Sequence, residues 1–348
     1  MKLLKISIAL FVILSFSKLF ACSVICIPNS ETYILGANFD GEGNWKGLIF
    51  INKRNKAKTT DLNNTGMSDL QWVSKYGSIT FNAISIEYPQ YGMNEAGLVI
   101  STVSLPNTLG PPADERPALI CNFWVQFALD NCKTTKEVLE SLSQIRIINS
   151  SDQYMICDKY GGCIIISFQN GKIISFQNEK LPIKVITNQP YYKCLDHYYE
   201  NTLPEKSNIF DHVTTKRFVM AAKQLTKINC KTPDCKIDYA FETLKSIEGS
   251  PESIWQVVFE PLDQKVYFLT RENKNVKEID FSEIDFLNPG KNIMLNLDIL
   301  LSENVINNFS EYSYDLNSNL YKSAMRNIGN PISEKEIEEH IRFLERFR

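Results

Sequence analysis

Short apolar, β-rich runs joined by tight turns recur along this chain, and they restrict its fold more than any other feature. Residues 23–27 and 32–38 flank Pro28-Asn29-Ser30-Glu31, and Ile254–Glu260 and Lys265–Thr270 flank Pro261-Leu262-Asp263. Leu48–Asn52, Ser78–Glu87, Leu98–Ser104, Tyr154–Cys157, Ile164–Phe168 and Ile173–Phe176 have the same character. Connections this short join antiparallel neighbours, because a parallel crossover needs a dozen or more residues. The period shifts to that of helices at Leu119–Asp130, Thr135–Gln144, Thr214–Thr226 and Ile237–Ile247. A last amphipathic helix is predicted after Ser333, with Glu336 as its capping partner and Ile337, Ile341, Phe343 and Leu344 on its apolar side. Hairpins alternating with paired helices predict antiparallel sheets covered by helical layers, an α+β fold rather than a doubly wound parallel sheet. No linker interrupts the pattern, so residues 22–348 are read as a single domain with a helical tail from about 290.

The first residues follow another logic. Lys2 and Lys5 precede an apolar run from Ile6 to Phe16 that is broken only by Ser7 and Ser15, and Ala21 offers a small residue just before Cys22. The run is too short to span a bilayer and has the layout of a secretory signal peptide over residues 1–21. This predicts a periplasmic or secreted protein with Cys22 at its mature N-terminus. No later stretch is long and apolar enough for a membrane helix. The formal net charge of -3 over 348 residues shows no basic surplus that would suit nucleic acid.

Nine cysteines are present, and an odd number leaves one thiol over in an oxidising compartment. If Cys22 is that thiol, up to four bridges remain. Cys157 and Cys163 flank one turn, and Cys230 and Cys235 flank another, so these two pairs are the easiest to close. Zinc is the rival use of these cysteines, weakened by the lack of any CxxC pair and by a total of three histidines.

GxSxG, HExxH and Walker sequences are all missing. Gly41, Gly43 and Gly47 lie in a hairpin loop and lack the context of a dinucleotide site. A histidine-based triad would have to draw on His197 or His212, which fall in a polar, tyrosine-rich stretch read as loop, or on His340, read as a solvated residue of the terminal helix. Cys22 needs none of them. A thiol at a mature N-terminus has a base one residue away, its own α-amine, with an ordinary pKa of about 7.7–8.0. That amine can take the thiol proton and later give it to a leaving nitrogen. A competing reading comes from Leu19-Phe20-Ala21-Cys22, which resembles the box before a lipidated cysteine and would block the amine. It leads to a non-catalytic, disulfide-braced binding protein anchored through Cys22.

Four segments in order tip the balance toward the enzyme. They are Cys22 followed by Gly36-Ala37-Asn38-Phe39-Asp40, then Met93-Asn94-Glu95-Ala96-Gly97-Leu98, then Leu181-Pro182 to Thr187-Asn188-Gln189-Pro190, and Arg217-Phe218. Together with Trp255–Phe259 and Tyr267-Phe268 they resemble the choloylglycine hydrolase family, the N-terminal-nucleophile group that includes bile-salt hydrolases and penicillin V acylases, over about residues 22–285. The resemblance implies a four-layer αββα sandwich of two antiparallel sheets and hydrolysis of linear amide C–N bonds in a small N-acyl substrate, with no metal or organic cofactor. It implies that Asp40 directs the Cys22 amine, that Asn188 and Asn94 supply oxyanion donors, the latter by backbone or side chain, and that Arg217 favours the charged thiol. Each residue also has a plain structural reading, as a turn cap for Asp40, turn residues for Asn94 and Asn188, and a surface helix residue for Arg217. Two departures stand out. The family's arginine before Asn38 is Ala37, and the interval from Asn188 to Arg217 looks shorter than in bile-salt hydrolases, where that region helps build a tetramer. A homo-oligomer is compatible with the sequence. Loops 53–77 and 105–117, with Trp72, Tyr76, Tyr88 and Tyr91, are expected to rim or line the pocket.

Overall fold

The computed structural model describes residues 21–59, 70–105, 108–148, 151–249, 252–287, 290–297, 305–329 and 333–344. Apart from Ala21, the expected signal peptide lies outside them, as do residues 60–69 and 106–107 of the expected pocket loops and the side chains of Phe343 and Leu344. In chain order the strands are β1 (Ser23–Asn29), β2 (Thr32–Phe39), β3 (Leu48–Asn52), β4 (Ala57–Thr59), β5 (Gln71–Val73), β6 (Ser78–Asn82), β7 (Tyr91–Asn94), β8 (Leu98–Ser104), β9 (Ala118–Ile120), β10 (Arg146–Ile148), β11 (Asp152–Asp158), β12 (Cys163–Gln169), β13 (Lys172–Gln177), β14 (Val185–Thr187), β15 (Trp255–Glu260), β16 (Lys265–Thr270), β17 (Lys277–Asp280), β18 (Ile293–Asn296) and β19 (Ser310–Glu311). The helices are α1 (Cys121–Asn131), α2 (Thr135–Ser141), α3 (Tyr191–Glu200), α4 (Ile209–Leu225), α5 (Pro233–Ser246), α6 (Tyr314–Ile328) and α7 (Glu334–Leu344).

Two antiparallel sheets carry the core. One runs β14-β1-β2-β15-β16-β17 and the other β13-β12-β11-β8-β7-β6-β3-β18-β19. The tight turns found in the sequence set the registers: Pro28 pairs with Tyr33 in the first hairpin and Glu260 with Lys265 in the β15–β16 hairpin. Alternation then sorts each strand onto two faces. Val24, Ala37 and Val257 stand level across the first sheet and are wholly buried. Phe81 of β6 reaches across between the sheets to Phe259 and Phe268, with ring centroids 6.1 and 5.6 Å apart. The opposite face of the first sheet is covered by α4 and α5. A Cβ on Gly36 would lie 3.1 Å from Leu244 Cδ1, so the helix sits directly on the glycine. On the far side of the second sheet, a Cβ at Gly92 would lie 2.7 Å from Leu129 of α1 and 2.9 Å from the Ile79 carbonyl, so no larger residue fits there. Helix, sheet, sheet and helix are the four αββα layers.

The tail beyond 290 is only partly helical. β18 first adds to the edge of the second sheet, pairing Ile293 with Ile51, and α6 and α7 follow. Ile337 and Ile341 are buried, as the amphipathic pattern predicts, and Ser333 and Glu336 exchange the capping bonds. Among the described residues no helix is long and apolar enough to cross a membrane.

The histidines and cysteines need correction. His197 and His212 lie in α3 and α4, not in a loop. The polar, tyrosine-rich composition hid α3, which turns Tyr191 and Cys194, three residues apart, into the core. His340 stacks on Tyr321 at 4.1 Å between ring centroids, and burial pushes its pKa down to about 4. Cys230 and Cys235 form a disulfide, and the other seven cysteines are thiols. Cys157 and Cys163 do pair across β11 and β12 with sulfurs 3.1 Å apart, but Cys26 of the opposite sheet approaches Cys157 equally, at 3.2 Å. Two partners thus compete for one sulfur. The trio has sulfurs all within 4.8 Å of one another, a donor spacing that suits a thiophilic metal ion.

Candidate active site

The site forms where β1, β2 and β14 end together. Ser23 pairs with Asn38 on one side and with Thr187 on the other. One step further along each strand brings Cys22 level with Phe39 on one side and Asn188 on the other, with Asp40 just beyond the end of β2. The hairpin turn at 28–31 therefore fixes the distance between thiol and carboxylate, although 18 positions separate them in sequence.

Asp40 is 1% exposed. Its Oδ2 accepts from the Gly249 amide at 3.0 Å, and Oδ1 accepts from the Ser253 hydroxyl. The Arg217 Nη1 lies 3.7 Å from Oδ2. Burial pushes the carboxyl up to about 6, against the opposing pull of Arg217, Ser253 and Gly249. Arg217 comes from the buried side of α4 and is far from the surface residue its sequence context would allow. Its Nη1 donates to the Cys22 carbonyl at 3.1 Å, to Ser23 Oγ at 2.7 Å and to the Ala21 carbonyl, and its Nη2 donates to Asn188 Oδ1 at 3.0 Å. The guanidinium plane can reach all these acceptors at once, which a lysine could not. Asn188 in turn donates from Nδ2 to the Ser104 carbonyl at 2.8 Å, leaving its second N–H for another acceptor.

Cys22 is a thiol, 4% exposed. Burial, then the charge of Asp40, pushes it up to about 12, while the Asp40 backbone, Tyr91 and Arg217 pull it down. With residue 21 attached the sulfur is therefore protonated at neutral pH. The Cys22 backbone nitrogen is in peptide linkage with Ala21, whose amide donates to the Asp40 carbonyl at 3.3 Å. A Cβ on Gly249 would meet both Ala21 Cβ and Asp40 Cβ at 3.1 Å. Ala21 thus fills the space beside Asp40. In front of the thiol opens a small pocket of about 40 Å³. Phe39, Ile84 and Tyr91 are apolar parts of its wall, and Gln90, Ser104 and Asp152 are polar parts.

The structure brings Cys22, Asp40, Asn188 and Arg217 together, and it takes Asn94 away. Asn94 sits on β7 with no exposure, and its Nδ2 donates to the Leu129 and Cys132 carbonyls, both at 2.7 Å. Its Oδ1 accepts from the amides of Ala96 and Leu98 at 3.1 and 3.0 Å. Both donors are occupied, so the side chain fastens the 94–98 turn to the end of α1 and has none left for an oxyanion. Asn94→Ala should therefore cost about 1–3 kcal/mol of unfolding free energy through its unpaired buried partners, with kcat changed less than about threefold. Denaturant unfolding beside steady-state kinetics checks this. Tyr91 is the one expected aromatic in the thiol's pocket. Trp72 instead donates to Asp130 at 2.7 Å, and Tyr88 packs on Phe123 and His340. Ser104 and Asp152 were not singled out from sequence. They face each other across β8 and β11, a pairing of distant strands that no local motif signals. Ala37 is buried between Val24 and Val257, so the positive charge reaching this cluster among the described residues is that of Arg217.

Comparison with known proteins agrees with this architecture. The chain is 22% identical over 267 residues to the penicillin V acylase of Pectobacterium atrosepticum, covering 64% of this chain and 70% of that one. Among solved structures, the penicillin V acylase from Agrobacterium tumefaciens superposes with a TM-score of 0.70 at 20% identity, covering 84% of this chain and 98% of that one. A variant of the conjugated bile acid hydrolase from Clostridium perfringens superposes with a TM-score of 0.64 at 18% identity, covering 81% and 99%. At such identities the superpositions establish a shared fold. The family described as linear amide C–N hydrolases, choloylglycine hydrolase family, matches residues 22–294, from the candidate nucleophile to the strand that closes the second sheet. The chain belongs to the choloylglycine hydrolase family of linear amide C–N hydrolases.

Proposed function

We propose that the mature protein begins at Cys22 in the periplasm or outside the cell, and that it hydrolyses the amide bond of N-acyl compounds with the Cys22 thiol as nucleophile and its α-amine as base. The observation that carries this reading is the Cys22 thiol, unpaired and facing a pocket, within a buried cluster of Asp40, Arg217 and Asn188. Release of Ala21 would leave a free amine where the Ala21–Cys22 peptide now lies, beside Asp40. The carboxylate would then accept a hydrogen bond from the neutral amine and direct its lone pair toward the thiol. The thiol proton passes to the amine as sulfur bonds to the acyl carbon. The remaining N–H of Asn188 supports the oxyanion. The protonated amine gives its proton to the leaving nitrogen, the C–N bond breaks, and water hydrolyses the thioester by the same relay. Without a relay, a thiol held near 12 would be ionised too rarely to react at neutral pH.

The rival reading, a lipid-anchored binding protein, acylates the same amine and gives the Asp40–Arg217 pair nothing to act on. Mass spectrometry of the N-terminal peptide, on protein purified from an exporting host, separates the two. The expected result is a chain starting at unmodified Cys22. A lipid on Cys22, or a start at any other residue, overturns the mechanism.

A further inference from the structure

Asp152 opens β11 directly opposite Ser104, on the wall of the Cys22 pocket, and is 7% exposed. Beside its carboxyl stand the hydroxyl of Ser104 and the thiol of Cys121, both uncharged. Among the described residues no lysine, arginine or histidine forms an ion pair with it, in contrast to Asp40, which faces Arg217, and Asp130, which faces Lys58 at 3.1 Å. A carboxylate can accept about four hydrogen bonds, so two neutral neighbours leave acceptor positions open. Buried charges in folded proteins are normally matched by a partner, and one left unmatched on a pocket wall has its complement in what enters the pocket. Burial raises its pKa to about 6, which still leaves it mostly ionised at neutral pH.

We propose that the Cys22 pocket selects acyl amides that carry a cationic nitrogen, an ammonium group that pairs with Asp152 on the pocket wall while the thiol engages the carbonyl. The inference rests on the amidase reading above. It adds a substrate class to it: aminoacyl or amino-substituted acyl groups in preference to plain alkyl or aryl ones. Ile84 and Phe39, in the same wall, would pack against the hydrocarbon part of the chain.

The test uses acyl p-nitroanilides in matched pairs, with and without an ammonium two to six carbons from the carbonyl. The mature enzyme is expected to favour at least one ammonium member over its uncharged partner by roughly tenfold or more in kcat/KM, mainly through KM, as befits a charged hydrogen bond. Asp152→Asn should bring that ratio close to one, with folding checked by thermal melting. Equal turnover of every pair, or a preference that survives in Asp152→Asn, overturns the proposal while leaving the amidase intact. Hydrolysis of none of the anilides counts against the amidase reading itself. In that case calorimetric titration of Cys22→Ala protein, with Asp152 in place, decides the pocket: tighter binding of an ammonium member supports the assignment, and equal binding across the pairs overturns it.

Discussion

Cys22→Ala should lose amide hydrolysis by at least about a thousandfold in kcat, with the fold intact. The size follows from the number of tasks that one sulfur performs. In the proposed mechanism it supplies the attacking electron pair and carries the acyl group between the two half-reactions, and no neighbouring side chain offers a substitute. Ser23 Oγ is bound to Arg217 at 2.7 Å and is on the opposite face of β1 from Val24 and the pocket, and the Tyr91 hydroxyl, a poor nucleophile, donates to the Asn38 carbonyl at 2.6 Å. The substitution removes one buried atom beside Phe39 and Tyr91 and adds no volume, so its cost in stability should stay near 1 kcal/mol. Cys22→Ser should fall almost as far, because a hydroxyl is far harder to deprotonate than a thiol and the amine is a mild base. The measurement is turnover of an N-acyl amide panel by wild-type and variant protein with matching N-termini. Retained hydrolysis in Cys22→Ala would mean that the chemistry occurs elsewhere.

The parts of this molecule that were legible in the sequence are those set by local pattern. Hairpin turns gave the registers of β1–β2 and β15–β16, and the first places Asp40 beside Cys22, whereas Asn188 arrives through the pairing of β1 with the distant β14, which no local turn sets. Arg217 was readable only through the family resemblance, since nothing near it in sequence says that α4 turns this residue inward against three strands. Asn94 shows the limit of motif reasoning. The motif around it is real, and it builds a turn whose polar demands the asparagine fully satisfies, so its regularity reflects folding and not catalysis. Asp152 shows the reverse. It stands in no motif, yet pairing with Ser104 puts it in the pocket, and that pairing depends on strands 48 positions apart. The helix α3 was missed because tyrosine and histidine are weak helix formers, and tertiary burial of Tyr191 and Cys194 outweighs that preference.

Arg217→Met should damage stability and activity together, in proportions that reveal what the arginine does. Its guanidinium bridges the Cys22 carbonyl, Ser23 Oγ and Asn188 Oδ1 and lies 3.7 Å from Asp40 Oδ2, with both side chains almost wholly buried. Methionine keeps most of the volume and removes every donor. Asp40 is then a buried carboxylate without its cation, a loss of about 3–5 kcal/mol of the kind seen when one partner of a buried pair is deleted. The pH dependence has a definite sign. Asp40 already titrates near 6 in the uncut chain, above the ordinary carboxylate, because burial disfavours its charge. A carboxyl raised in this way favours the folded state below its unfolded pKa and loses that contribution as pH rises through the folded value. Loss of Arg217 raises the folded value further. The Asp40 part of the defect should therefore be largest at alkaline pH, where Asp40 must be ionised in both proteins, should shrink as pH falls through the raised value, and should be nearly gone below about 6. Arg217→Lys restores the charge and one direction of bonding, but not the fork that holds Asn188 and the start of β1 at once. It should recover much of the stability at neutral pH and little of the turnover, which should remain about a hundredfold down in kcat/KM because the oxyanion donor and the nucleophile are no longer aligned. Denaturant midpoints from pH 5 to 8, set beside kcat/KM for both variants, make the comparison. Equal recovery of stability and turnover in Arg217→Lys would reduce the role of Arg217 to its charge. A stability defect in Arg217→Met that is independent of pH would show that Asp40 is not the group Arg217 compensates.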